Sequence, residues 1–300
     1  MSYHDPRTAF VLDRRQVRHR MKMQRARTQF PLSKGVDRGL HELRRMHGDP
    51  ADTYTAKLLR TSLRDFLEAI DAADVLLENG AVGAARAIGR TCVEQGGGVL
   101  YVIERNDERV SAARVLADFA SMETSLKSVQ ARLDPGDRDD FGQDLAFERI
   151  ALENSDYAML KASQELKTLS EEGQLPWYAS FGGPRGIAEL LSVVGFPNIY
   201  DRFYRPWSAH VHGTINSSTA FSARNDYMTR PLRFFSDTDN AIVTGFLHIW
   251  CVVVTLQTSA YFFPNQVDTS FLEQSEELLK EMPGDLLFSV WDNIPYDEGE

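Results

Sequence analysis

Residues 242–263 read IVTGFLHIWCVVVTLQTSAYFF, and no other run constrains the fold of this chain so strongly. The run is about long enough to cross a bilayer. It also carries His248, Gln257, three Thr and a Ser, and Asp237 and Asp239 precede it. A helix that is apolar all round has to be enclosed all round. The expectation is a central helix of a soluble bundle rather than a membrane span.

The rest of the chain is patterned to surround such a helix. Periodicity is helical almost throughout, and no run alternates as a strand does. Long helices are predicted at 54–78, 82–105, 108–133 and 140–169, with short ones at 37–46 and 187–194. Asn79-Gly80 ends the first in the manner of a C-cap, and Asp134-Pro135-Gly136 ends the third. Residues 173–186 form one long irregular stretch. A polar connection, 214–236, leads into the buried helix, and an amphipathic helix at 270–282 follows it. The predicted fold is all-α: an antiparallel helical bundle with long helices, a buried C-terminal apolar helix and a basic N-terminal arm. The expected organisation is an arm at 1–50, a single helical domain at 51–285 and an acidic tail at 286–300.

The net charge of −10 is unevenly spread. Residues 1–50 hold twelve Arg and Lys against five Asp and Glu, a net +7, so the remainder carries −17. A basic arm suits nucleic acid or an acidic partner, but it also suits docking on its own acidic body or on a partner subunit. An acidic body repels a phosphate backbone except where the arm shields it. Cys92 and Cys251 both lie in apolar helical contexts and read as buried, reduced thiols of a cytoplasmic protein. The N-terminus has no apolar signal region.

Two constellations carry chemistry. The first is Tyr200, Tyr204, Ser208 and His212, each four residues from the last, which at helical pitch run along one ridge. Asn198 suits an N-cap and Gly213 a C′ position. Pro206 removes its own N–H and clashes with the carbonyl of Arg202, so the helix is expected to kink or restart there. Only neighbours on this ridge can touch. No nucleophile-elbow motif surrounds Ser208, which argues against a serine hydrolase. The second constellation is Arg90 and Glu94, one turn apart. Their order is the weaker one for local helix support, and their neighbours look buried. A functional pair and a buried structural pair are both consistent with it. Gly96-Gly97-Gly98 follows, and three glycines inside a helix imply close approach by another helix or a ligand.

In this order, the two constellations resemble a bacterial family of unknown function whose pattern is Arg-x3-Glu, later a Trp, then Tyr-x3-Tyr-x3-Ser-x3-His. Here the matching residues are Arg90, Glu94, Trp177, Gly195, Tyr200, Tyr204, Ser208 and His212, over about 58–214. The resemblance implies an all-α fold with a shared polar site. A more distant similarity is to HEPN-type helical ribonucleases, whose signature is Arg-x4–6-His. Arg205 stands in that relation to His210 and His212, with Pro206 where that family usually has a polar residue.

Three functions follow as expectations. The first is a metal-independent ribonuclease or nucleotide-acting effector of the toxin or phage-defence type. In it His212 is the general acid/base, and Arg205 or Arg90 steadies a phosphate or oxyanion. Tyr204 and Ser208 orient the substrate, Glu94 completes the catalytic set, and Tyr200 and Trp177 contact the substrate. The second is a non-catalytic binding module for a polar small molecule or a protein partner. The third is a structural network of buried hydrogen bonds. No cofactor and no metal are expected. The expected partners are RNA or a nucleotide, a protein met through the basic arm, and a second copy in a homodimer, with no membrane.

Overall fold

A computed structural model describes residues 32–50, 53–130, 157–171, 175–211, 237–264 and 266, with side chains described outside 122–130, 209–211 and 237–239. Most of these residues are helical, with no strand among them, and the fold is all-α. The helices are α1 (Leu32–His47), α2 (Tyr54–Glu78), α3 (Val82–Arg105), α4 (Glu108–Gln130), α5 (Tyr157–Glu171), α6 (Ile187–Val193), α7 (Arg205–Val211) and α8 (Asp237–Phe262). A 3-10 turn, Trp177–Gly182, joins α5 to α6, and two short turns lead from α6 into α7.

Local signals explain the bounds. Thr53 accepts the Ala56 N–H and caps α2. Glu108 adds a cap from another helix, accepting the Tyr54 N–H at 2.8 Å and the Thr55 N–H at 3.3 Å. At the far end Gly80 takes φ 71°, and the Ala81 N–H closes back onto the Leu76 carbonyl. That is a Schellman ending, which suits a residue without a Cβ.

The apolar run forms the heart of the bundle. Val243, Phe246, Leu247, Trp250, Val252 and Val254 of α8 are all buried, with α1, α2 and α3 packed around them. The span 240–262 is long and apolar enough to cross a membrane, and most of it is enclosed by the protein, as befits a soluble core. Its polar groups are placed as well. Ser259 donates to the buried carboxylate of Glu42 at 2.8 Å, and Glu42 also pairs with Arg38 and Arg45. Cys92 and Cys251 are buried free thiols, and burial pushes the Cys251 thiol up to about 12.

Helix α1 belongs to this core: Leu32, Val36, Leu43 and Met46 are buried. The expected arm of residues 1–50 therefore ends in a helix that packs in the bundle. Its basic stretch at 14–27 and the acidic tail lie outside the described residues, as do the predicted helical residues 140–156 and 270–282.

The triple glycine of α3 is explained by packing. A Cβ on Gly96 would overlap the Trp250 indole, one on Gly97 would touch Leu190 and Leu191, and one on Gly98 would stand 3.3 Å from Trp177. Three different elements close onto one turn of α3 from different sides. Trp250 uses the approach to donate to the Cys92 carbonyl at 2.9 Å.

Candidate functional site

The chain enters the site through a turn and a widened helix. Gly195 takes φ 89°, and the Phe196 N–H bonds back to the Leu191 carbonyl, ending α6. Phe196 then sets its ring edge-on to Trp250 at 5.4 Å. Helix resumes at Pro197, a favoured first position for proline, and no side-chain bond caps it. Asn198 is thus inside the helix and not its N-cap, contrary to the sequence expectation.

Tyr200–Tyr204 follows as a π turn, in which the Arg205 N–H reaches the Tyr200 carbonyl. Regular α-helix restarts at Arg205, which leaves Pro206 in the first turn, where a missing N–H costs least. The expected break at Pro206 takes this form. Such widened turns recur at functional sites.

The two faces of this segment have separate roles. Phe203 and Trp207 pack inward on Phe246 of α8, with ring centroids at 3.8 and 5.3 Å. Tyr204 and Ser208 meet α3 instead. Gly89 makes the approach close, because a Cβ there would run into the Trp207 ring. Gly89 precedes Arg90, and Trp207 precedes Ser208, so one contact sets the register of both.

The network itself joins residues more than 100 positions apart. Arg90 donates from Nε to Ser208 Oγ at 3.0 Å and from Nη2 to Tyr204 Oη at 2.7 Å. The same Nη2 lies 2.8 Å from Glu94 Oε1. Tyr204 donates its proton to that carboxylate oxygen at 2.5 Å. Ser208 donates to the Tyr204 carbonyl at 2.9 Å. The Arg90 guanidinium also lies 4.8 Å from the Tyr204 ring centroid, and Tyr200 stacks on that ring at 5.5 Å. Burial, reinforced by the Glu94 carboxylate, holds the Tyr204 hydroxyl well above the usual tyrosine range, against the opposing pull of Arg90. Tyr204 is therefore a neutral donor, and Ser208, whose proton goes to a carbonyl, is not poised as a nucleophile.

Arg90 and Glu94 are neither a solvated pair nor a fully buried one: their side chains are 23% and 40% exposed. Arg90 Nη1 and Glu94 Oε2 have no hydrogen-bond partner among the described residues. One donor and one acceptor are thus left over.

The other expected site residues lie elsewhere. Arg205 is 75% exposed and faces Asp201 at 3.8 Å, outside the network. His212 lies outside the described residues, as does the side chain of His210. Trp177 is buried one turn beyond Glu94, against Gly98, with Tyr101 and Tyr178 at 6.0 and 5.6 Å. Its turn is held by Phe181, whose backbone adopts φ 55°. The Phe181 N–H bonds Glu165 at 2.8 Å and Arg109 covers its ring at 5.0 Å, contacts that offset a strained backbone. Burial and then the Glu94 charge raise the Tyr178 hydroxyl. In the sequence Tyr178 reads only as a core aromatic. No group of three or more His, Cys, Asp or Glu is placed to hold a metal ion among the described residues.

The chain that folds this bundle and joins these residues matches one family model, described as a family of unknown function (DUF5677). It matches residues 57–228, more than half of the chain, and the chain belongs to that family. No curated protein and no solved structure matches it, and nothing in these comparisons supports the HEPN similarity.

Proposed function

We propose that the protein binds a small polar molecule at the Arg90–Glu94–Tyr204–Ser208 network. One observation carries this reading: the network fixes Arg90 from two elements, yet leaves Nη1 and the half-exposed Glu94 carboxylate without described partners. A fixed donor and a fixed acceptor fit a ligand that offers complementary groups, and rigid polar groups lower the cost of ordering on binding. Charge favours this over a polynucleotide. Glu94 neutralises Arg90, and residues 51–300 carry −17, which repels a phosphate backbone. The buried thiols are in keeping with a cytoplasmic setting.

The second reading is the metal-independent ribonuclease, a bacterial effector that recruits RNA or a protein through its basic arm. What favours it is the Tyr204 hydroxyl donating to the Glu94 carboxylate beside a guanidinium, an arrangement suited to general acid/base work. A homodimer is compatible with either reading.

One experiment separates them. The full chain is screened by thermal shift against amines, amides, amino acids and nucleosides, and is incubated with total RNA in EDTA. The binding reading predicts ligands that raise the Tm of the wild type but not of Glu94→Gln, with the RNA intact. RNA cleavage that disappears in Arg90→Ala and His212→Ala would overturn it in favour of the ribonuclease.

A further inference from the structure

The bonds inside the network decide what it still offers. Glu94 Oε1 already accepts twice, from the Tyr204 hydroxyl at 2.5 Å and from Arg90 Nη2 at 2.8 Å. Arg90 Nε and Nη2 are spent on Ser208, Tyr204 and that same oxygen. Ser208 sends its own proton to the Tyr204 carbonyl, so neither hydroxyl has a proton left for a ligand. What remains is Nη1 of a cation and Oε2 of an anion, on side chains 23% and 40% exposed.

The Nη2–Oε1 contact also bounds the distance between these two atoms. Nη1 is joined to Nη2 through one carbon, and Oε2 to Oε1 through one carbon. Covalent geometry therefore keeps the two open atoms within about 7 Å of each other. One small molecule can reach both.

Their opposite signs select its charge. An anion drawn to Nη1 enters the repulsion of the Glu94 carboxylate, and a cation drawn to Oε2 enters that of the Arg90 guanidinium. A neutral amide escapes both repulsions, but each of its bonds is charged on one side only. A zwitterion sets a carboxylate on Nη1 and an ammonium on Oε2, so both bonds join opposite charges, the strongest kind. The network adds no third charge, because Tyr204 is held in its neutral form. In an α-amino acid one carbon separates the two charged groups, a spacing short enough for that reach.

We infer that the network takes a small zwitterion of the α-amino acid class, its carboxylate on Arg90 Nη1 and its ammonium on Glu94 Oε2. The inference rests on the binding reading above and names the ligand class of that same site.

The test is ligand-observed NMR titration of the full chain with glycine, N-acetylglycine and glycinamide, at neutral pH and matched ionic strength. Glycine carries both charges, N-acetylglycine only the carboxylate and glycinamide only the ammonium. Glycine should bind at least about tenfold more tightly than either. No binding of glycine, or equal binding of one of the other two, would overturn the proposal. Glu94→Gln adds a readout that a loss of fold cannot imitate. It keeps an acceptor but removes the charge that holds the ammonium and repels a lone carboxylate. Glycine should weaken and N-acetylglycine should tighten, and an unchanged ratio between them would likewise overturn the proposal. The two readings fail separately. If glycine does not bind while amides or nucleosides still raise the Tm of the wild type but not of Glu94→Gln, the zwitterion falls and the network reading stands. If no ligand of any class binds, both fall.

Discussion

At the residue scale, the site depends on the geometry of one guanidinium. Arg90 spends Nε on Ser208 and Nη2 on Tyr204 and Glu94, which only a planar fork can do at once. Arg90→Lys keeps the charge but cannot reproduce the fork. It should cost about 1–2 kcal/mol in urea unfolding, modest because the pair is partly exposed. A change within error would mean that the fork is idle in the folded state. His248 makes a separate prediction. It is buried in α8, where a Cβ on Gly35 of α1 would come within 3.3 Å of its Nδ1. Burial lowers its pKa from 6.5 to about 4. Above pH 6.5 the ring is neutral in both folded and unfolded chains and adds no pH dependence. Between 6.5 and about 4 the unfolded chain takes up a proton that the folded one refuses, so stability falls as pH falls, by up to about 3 kcal/mol. Unfolding measured across that window should be flatter in His248→Gln, and an equal slope in the variant would contradict this assignment.

At the element scale, the meeting of α3 and α7 depends on small residues facing large ones. Gly89→Ala would drive a Cβ into the Trp207 ring and part Arg90 from Ser208. A cost of about 1–3 kcal/mol is expected, read as a lowered Tm, together with weakened ligand binding. An unaltered Tm would show that the two helices do not approach so closely. The end of α2 was legible in the sequence because the Asn79-Gly80 stop and the periodicity agree there, and the bounds of α3 were legible from periodicity. The π turn at Tyr200–Tyr204 was not. Pro206 announces a break, but whether it becomes a kink or a wider turn depends on Phe203 and Trp207 finding Phe246, a contact with α8 far along the chain. The N-cap role expected of Asn198 failed for a similar reason, since Pro197 is the better first residue and moves the N-cap from Asn198 to Phe196.

At the scale of the whole molecule, α8 organises everything else, and that was legible because an all-round apolar helix has only one kind of place in a bundle. The triple glycine announced a close approach, but not that Trp250, Leu190, Leu191 and Trp177 share it. The site was legible as two halves. Arg90 and Glu94 share one ridge and Tyr204 and Ser208 another, but periodicity does not say which ridges meet across a hundred residues. Its spacing to His210 and His212 put Arg205 in the catalytic set, whereas its position on the outer face of the turn leaves it in solvent.

The central claim is that the network recognises a ligand and does not merely clasp two helices. Titration of the wild type and of Tyr204→Phe with the strongest ligand from the thermal-shift panel tests it most directly. Removing one hydroxyl frees the Glu94 carboxylate and loosens Arg90 without emptying the ring's space. The account predicts affinity at least about tenfold weaker, with the fold retained. Equal affinity in the two proteins, alongside a lowered Tm for the variant, would contradict it and leave a structural clasp.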